Sequence, residues 1–200
     1  MTTKKLHKII NLGEDIDVEF KSAKGGLPKS LWESLSGFAN TSGGYIILGV
    51  DEVGNEEFSI GGIKNPKGML KTFWDSHNNS QKLSRPICSE TDVEILEVDG
   101  QSVLIIYVPE TNRHQRPVFI NGNPYMGTYK RNFEGDYRCS ESEVRQMLRD
   151  ASDDAQDFDI IENFGLEDTD EETLKAYRNR FRSRMADHPY LALLWTIESF

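Results

Sequence analysis

The chain has 200 residues, 37% hydrophobic and 10% aromatic, with a formal net charge of -10, which is apolar material for a core of ordinary size and excludes disorder throughout. No stretch approaches the ~18 uninterrupted apolar residues of a membrane helix, and Lys4, Lys5 and Lys8 have no apolar run behind them. These features exclude a membrane partner and lead us to expect a soluble cytoplasmic protein; Cys88 and Cys139, without zinc-site spacing or the numbers for a disulfide framework, fit a reducing compartment.

The charge is unevenly placed. Eleven acids and no Lys or Arg lie between Asp150 and Glu172, whereas residues 1–149 hold 20 acids against 18 bases. A surface for nucleic acid is therefore permitted in the first three quarters of the chain. The acidic run, poor in apolar residues and without a period, reads as a solvated linker.

In chain order, IDVEFK (16–21) alternates as a strand, and LPKSLWESLSGFANT (27–41) reads as a helix with Pro28 near its first turn and Leu31, Leu35 and Phe38 on one stripe. YIILGV (45–50) has the continuous apolar pattern of a strand buried on both faces, and PKGMLKTFWDSHNN (66–79) reads as a second helix. Asp99-Gly100 between two β-rich runs predicts a hairpin over 92–109, and PVFING and PYMGTYKRN read as two further strands separated by Asn121-Gly122-Asn123. Ser140 with Glu143, and Thr169 with Glu172, have capping-box spacing ahead of two more helices. The expected class is α/β (α+β), a mixed sheet with helices packed on it. The expected organisation is a domain over 1–149, an acidic linker over 150–172 and a helical segment over 173–200 that begins a truncated following domain.

The stretch SGFANTSGGYIILGVDEVG (36–54) contains paired glycines beside a strand, as phosphate-cradling loops do. Those loops run from strand through glycines to a helix N-terminus, and here the order is helix, glycines, strand. Gly43 or Gly44 therefore reads as a helix stop. Interest shifts to the acids beyond the strand.

Glu19-Phe20-Lys21 places a carboxylate and an ammonium on one face of a strand, a pairing that metal-dependent nucleases use with Mg²⁺ or Mn²⁺. Glu14 and either Asp51 or Glu52 could complete a carboxylate cluster with Glu19 and Lys21. The competing reading is an acidic turn entering an edge strand, whose charges discourage edge-to-edge association.

Glu14, VEFK at 18–21 and the FANTSGGYIILGVDEVG string together resemble the Schlafen-type AlbA domain over about residues 8–149. The resemblance implies a mixed α/β fold and a nucleic-acid-binding, in particular DNA-binding, domain of a bacterial transcriptional regulator. It also implies a downstream ATPase-like, ATP-binding region and a winged helix. Some Schlafen proteins are endoribonucleases with an acidic triad, which here falls on Glu14, Glu19 and Asp51 or Glu52, with Lys21 matching the family lysine. Those enzymes build their groove from two lobes, so a single lobe implies a homo-oligomer. An assembly domain that feeds the downstream ATPase is a third expectation.

Arg113, His114, Arg116, Lys130, Arg131 and Arg138, interleaved with Tyr125, Tyr129, Phe133 and Tyr137, are the residues expected to contact phosphates and stack on bases. The alternative is a hairpin with ordinary surface cations and rings turned to the core. His114, with no Cys or second His at ligand spacing, reads as a loop hydrogen-bonding residue rather than a metal ligand or base, and Trp32, Trp74 and Trp195 read as core.

Overall fold

The computed structural model describes residues 1–54, 57–156 and 170–184, in two units that divide after Asp157. In the first unit, β1 (Val18–Lys21), β2 (Gly44–Leu48), β5 (Val93–Val98) and β6 (Gln101–Val108) form one sheet in the order β1-β2-β6-β5. β1 is parallel to β2 and the other pairings are antiparallel, so the sheet is mixed, as expected. Asp99 and Gly100, both at positive φ, make the tight turn between β5 and β6.

Side-chain alternation gives each face of this sheet its own core. On one face Ile46, Leu48, Leu104, Ile106 and Val108 pack against Leu31, Leu35 and Phe38 of α2 (Leu31–Asn40) and Met69 and Phe73 of α3 (Pro66–His77). On the other, Val18, Phe20, Ile47 and Ile105 meet Leu6 and Ile10 of α1 (Thr3–Leu12). Full burial of a Leu or Phe side chain is worth about 1.5–3 kcal/mol, so the α2 stripe, wholly inaccessible at Leu31, Leu35 and Phe38, fixes that helix on the sheet. Trp32 is buried in the same core, as expected, and Trp74 packs against it; Trp195 lies outside the described residues.

Several local expectations need correction. The strand at 45–50 ends early, because Gly49 turns at φ 95° and its carbonyl accepts from both Gly61 and Gly62 N–H at 2.9 Å. A side chain there would press on Ile63, 3.1 Å from the Cβ position. The chain leaves the main sheet and forms a separate hairpin from β3 (Val50–Gly54) and β4 (Glu57–Ile60). PVFING does not form a regular strand: Phe119 and Ile120 make isolated bridges only, and Asn123 caps the four-residue helix α4 (Pro124–Gly127). β7 (Tyr129–Asn132) then pairs with β8 (Gly135–Arg138), which the sequence reading does not include. α1 is likewise unforeseen, its apolar stripe being short and set among lysines.

The Ser140–Glu143 capping box forms, with Ser140 N–H donating to Glu143 at 2.7 Å. The helix it opens, α5 (Glu141–Gln156), runs through residues 150–156 of the stretch read as linker. In the second unit α6 (Glu171–Arg184) is described, and its cap is Asp170, which accepts from Thr173 N–H at 2.8 Å. The expected cap Thr169 and the apolar segment from residue 189 onward lie outside the described residues. Among the described residues no helix is long and apolar enough to cross a membrane.

Candidate functional site

Strand alternation brings Glu19 and Lys21 together as expected, with the Lys21 ammonium 2.7 Å from Glu19 Oε1. The other carboxylate oxygen receives a cation that spacing alone does not suggest. Arg131, on β7, donates from Nη1 to Glu19 Oε2 at 2.5 Å and to Asp136 at 3.4 Å, and from Nη2 to the Asp15 and Val18 carbonyls, each at 3.1 Å. Its guanidinium also lies 4.8 Å from the centre of the Phe38 ring. Only 1% of the Arg131 side chain is exposed, so its expected role as a phosphate contact is corrected: it is the centre of a buried charged hub.

The hub rests on polar side chains of α2 and of Thr41, which caps its C-terminus. Ser34 donates to Asp136 at 2.5 Å, Thr41 Oγ1 accepts from Arg131 N–H at 3.0 Å, and Ser36 accepts from Tyr129 N–H at 3.0 Å. Asn40 donates to the Val118 and Tyr129 carbonyls at 2.8 and 2.9 Å and accepts from Val118 N–H at 2.8 Å. The FANT string is thus the seam that holds β7 against α2. Gly37 completes it, since a Cβ there would stand 2.8 Å from the Asp136 carboxylate. Burial raises the Asp136 pKa from its ordinary value, against the bond from Ser34 and the charge of Arg131.

β1 is an edge of the sheet, and the outward N–H and carbonyl of Val18 and the outward N–H of Phe20 are occupied. Glu14 accepts from Phe20 N–H at 2.7 Å, while Asp15 pairs with Val18 and Arg131 takes the Val18 carbonyl. Burial raises the Glu14 pKa, partly offset by that bond from Phe20. Glu14 therefore closes an edge strand, which supports the edge-protection reading of GEDIDVE.

Asp51 is not delivered beside Glu19. It lies on β3, paired with Ser59 in the strand register, and forms an ion pair with Lys24 at 2.9 Å; bonds from Ser22 and Lys24 lower its pKa. Asp51 and Glu52 do share with Glu14 a cavity of about 410 Å³. Glu19 has both oxygens committed to cations, Asp51 is tied to Lys24, and one oxygen of Glu14 is tied to Phe20. As arranged, these donors do not fit a divalent ion, and among the described residues no three His, Cys, Asp or Glu side chains are grouped to hold a metal.

The remaining expected cations divide by their neighbours. Arg116 is a structural residue, bonded to the Thr111 and Thr41 carbonyls at 2.9 and 3.0 Å and to Glu110 at 2.7 Å. Arg113 is exposed and bonds to the half-buried His114 at 3.2 Å. Lys130 is paired with Glu143, whose carboxyl that ammonium and the Ser140 bonds pull down to about 2. Arg138 is exposed, lying over the Tyr129 ring at 5.9 Å. Of the rings, Phe133, Tyr137 and Tyr125 are exposed, while Tyr129 is buried and belongs to the core.

Helix α5 packs on the 3-10 turn at Arg113–Gln115 and holds Lys130 through Glu143, so Arg113 and Lys130 flank it, and Arg138 lies three residues ahead of its start. Arg145 and Arg149 are exposed and four residues apart on α5; Arg145 is ion-paired with Glu141, whereas Arg149 has no carboxylate partner among the described residues. They are missed by a motif-based reading, although i,i+4 arginines behind a capping box are a usable signal.

A mixed sheet with a helix-bound hairpin and exposed arginines beside it defines a small α+β domain. The chain belongs to the Schlafen, AlbA_2 family, whose profile matches residues 14–140, and this makes it a nucleic-acid-related domain. Residues 145–197 match a second family, described as a domain of unknown function (DUF8451). Among solved structures it is similar to the N-terminal domain of a RecG-related protein from Nitrosomonas europaea, at 26% identity over 68% of this chain and 90% of that one, with a TM-score of 0.49. It is also similar to a Corynebacterium diphtheriae protein, at 19% identity over 66% of this chain and 24% of that one, with a TM-score of 0.41. No curated protein matches the chain.

Proposed function

We propose that residues 1–149 are a nucleic-acid-binding domain of a bacterial transcriptional regulator, in which the strip along α5 contacts phosphates and the hub is structural. The observation that carries this reading is the division of the cations. Arg131 and Arg116 are bonded within the fold, while Arg113, Arg138 and Arg149 stand exposed without a carboxylate partner among the described residues. Exposed Tyr137, paired with Lys130 in the hairpin register, offers a ring to a base. Retention of labelled duplex DNA and structured RNA by the full chain tests the reading. Binding should weaken steeply with salt, each phosphate contact adding about 0.9 to the slope of log affinity against log salt. Absence of retention at low salt would refute it.

An endonuclease reading, with Glu14, Glu19 and Asp51 as ligands for Mg²⁺ or Mn²⁺ and Lys21 as helper, is favoured by one feature: Glu14 and Asp51 line the same cavity. It requires the ion pairs of Glu19 and Asp51 to open. Cleavage of structured RNA that Glu19→Gln abolishes in a folded protein would support it.

A further inference from the structure

The end of α1, the β3–β4 hairpin and the tip of β7–β8 border two adjoining hollows of about 280 and 310 Å³ that share Phe58. Glu14, Glu52 and Glu134 line the first and Glu57 the second, and among the described residues neither is lined by a Lys or Arg. Leu12 lines the first at 75% exposure and Val53 the second at 61%. Next to Glu134, Phe133 is 79% exposed at the hairpin tip, with φ 58°. That left-handed conformation suits glycine and is strained for a bulky side chain, so neither burial nor backbone preference accounts for a phenylalanine there.

We propose that this cleft docks a cationic protein segment, whose Lys or Arg side chains meet Glu52, Glu57 and Glu134 and whose apolar side chain packs among Leu12, Val53 and Phe133. Charge complementarity selects the occupant. Nucleic acid or an acidic peptide would be repelled, and a wholly apolar partner would strip water from carboxylates without pairing them. A basic segment satisfies the acids while covering the exposed apolar groups.

Isothermal titration calorimetry of the full chain with an amphipathic leucine–lysine peptide, and with its glutamate counterpart, provides the test. The lysine peptide should bind, more weakly as salt rises, and the glutamate peptide should not. Phe133→Gly should lower affinity about tenfold with the fold kept, because glycine suits the tip conformation. Glu52→Lys with Glu134→Lys should move preference to the glutamate peptide, which separates this cleft from attraction to the net negative charge of the chain. Equal binding of both peptides, no binding, or binding indifferent to these variants would overturn the proposal. So would self-association of the chain that Phe133→Gly abolishes, which would make a second copy the occupant, or displacement of the peptide by stoichiometric Mn²⁺.

Discussion

Arg131 and Arg138 are seven residues apart on one hairpin, and their strand registers place them on the same face, two positions apart along it. One is 99% enclosed by Glu19, Asp136, two carbonyls and the Phe38 ring, and the other lies in solvent over Tyr129. Residue type and spacing treat them alike. What distinguishes them is the element opposite: α2 brings Ser34, Gly37 and Phe38 under Arg131, whereas Arg138 lies over the ring of Tyr129 with its other side in solvent. A basic cluster in a sequence is thus an upper bound on a basic surface, and long-range packing decides which cations remain outside.

The sharpest way to break this comparison is to remove the enclosed member. Arg131→Ala leaves Glu19 and Asp136 with a buried partner missing, and breaking such a pair costs about 3–5 kcal/mol. Urea denaturation should show that loss in Arg131→Ala, with a change no larger than about 0.5 kcal/mol in Arg138→Ala. Similar effects in the two variants would mean that the hub does not organise the fold.

Next in size is the seam. Asn40 is 4% exposed and serves three backbone groups of Val118 and Tyr129, so Asn40→Ala leaves buried polar groups unsatisfied at about 1–3 kcal/mol each. Because Asn40 holds β7 where Arg131 can reach Glu19, amide exchange in β7 should accelerate more than in β5, and equal acceleration would place the seam elsewhere.

The features legible in the sequence were the local ones. Asp99-Gly100 specified its hairpin, the period of Leu31, Leu35 and Phe38 specified α2, and strand alternation placed Lys21 beside Glu19. The expected helix stop is realised at Gly43, with φ 71° and its N–H on the Phe38 carbonyl at 2.9 Å. The parts that escaped depend on residues far apart in the chain. The partner of Glu19 is 112 positions away, and nothing around Arg131 marks it as buried. Gly49 resembles an ordinary strand residue until the 61–62 turn closes on its carbonyl, and that one turn moves Asp51 out of the sheet. The FANT string was recognisable as a pattern, but its role required knowing that Val118 and Tyr129 lie opposite.

Two carboxylates sharpen the same contrast through pH. Asp136 in the hub has its pKa raised by burial, so the native state holds the proton more tightly than the unfolded chain; the stability this supplies is present at low pH and is lost as pH rises through the folded pKa. Glu143, pulled down to about 2 by Lys130 and Ser140, does the reverse: its contribution is present above the ordinary glutamate range and is lost as pH falls toward 2. Carboxyl NMR titration should place Asp136 above and Glu143 below their ordinary values. Lys130→Met should return Glu143 toward its usual value and leave Asp136 where it is.

The smallest effect on stability should accompany the most informative effect on function. Arg138→Ala removes a cation that carries no carboxylate partner among the described residues, so folding should be nearly unchanged. If the basic strip along α5 contacts phosphates, the same variant should weaken nucleic-acid binding uniformly across sequences and lower the salt slope by about one unit. Arg149→Ala should act the same way and additively, since an exposed phosphate contact is independent of its neighbours. Arg116→Ala should instead loosen the end of α2, through its bond to Thr41, and affect binding only to the extent that it unfolds the seam. Binding lost equally in Arg138→Ala and Arg116→Ala, with the salt slope unchanged, would show that the strip acts through structure alone and would move the interface to another face of the domain.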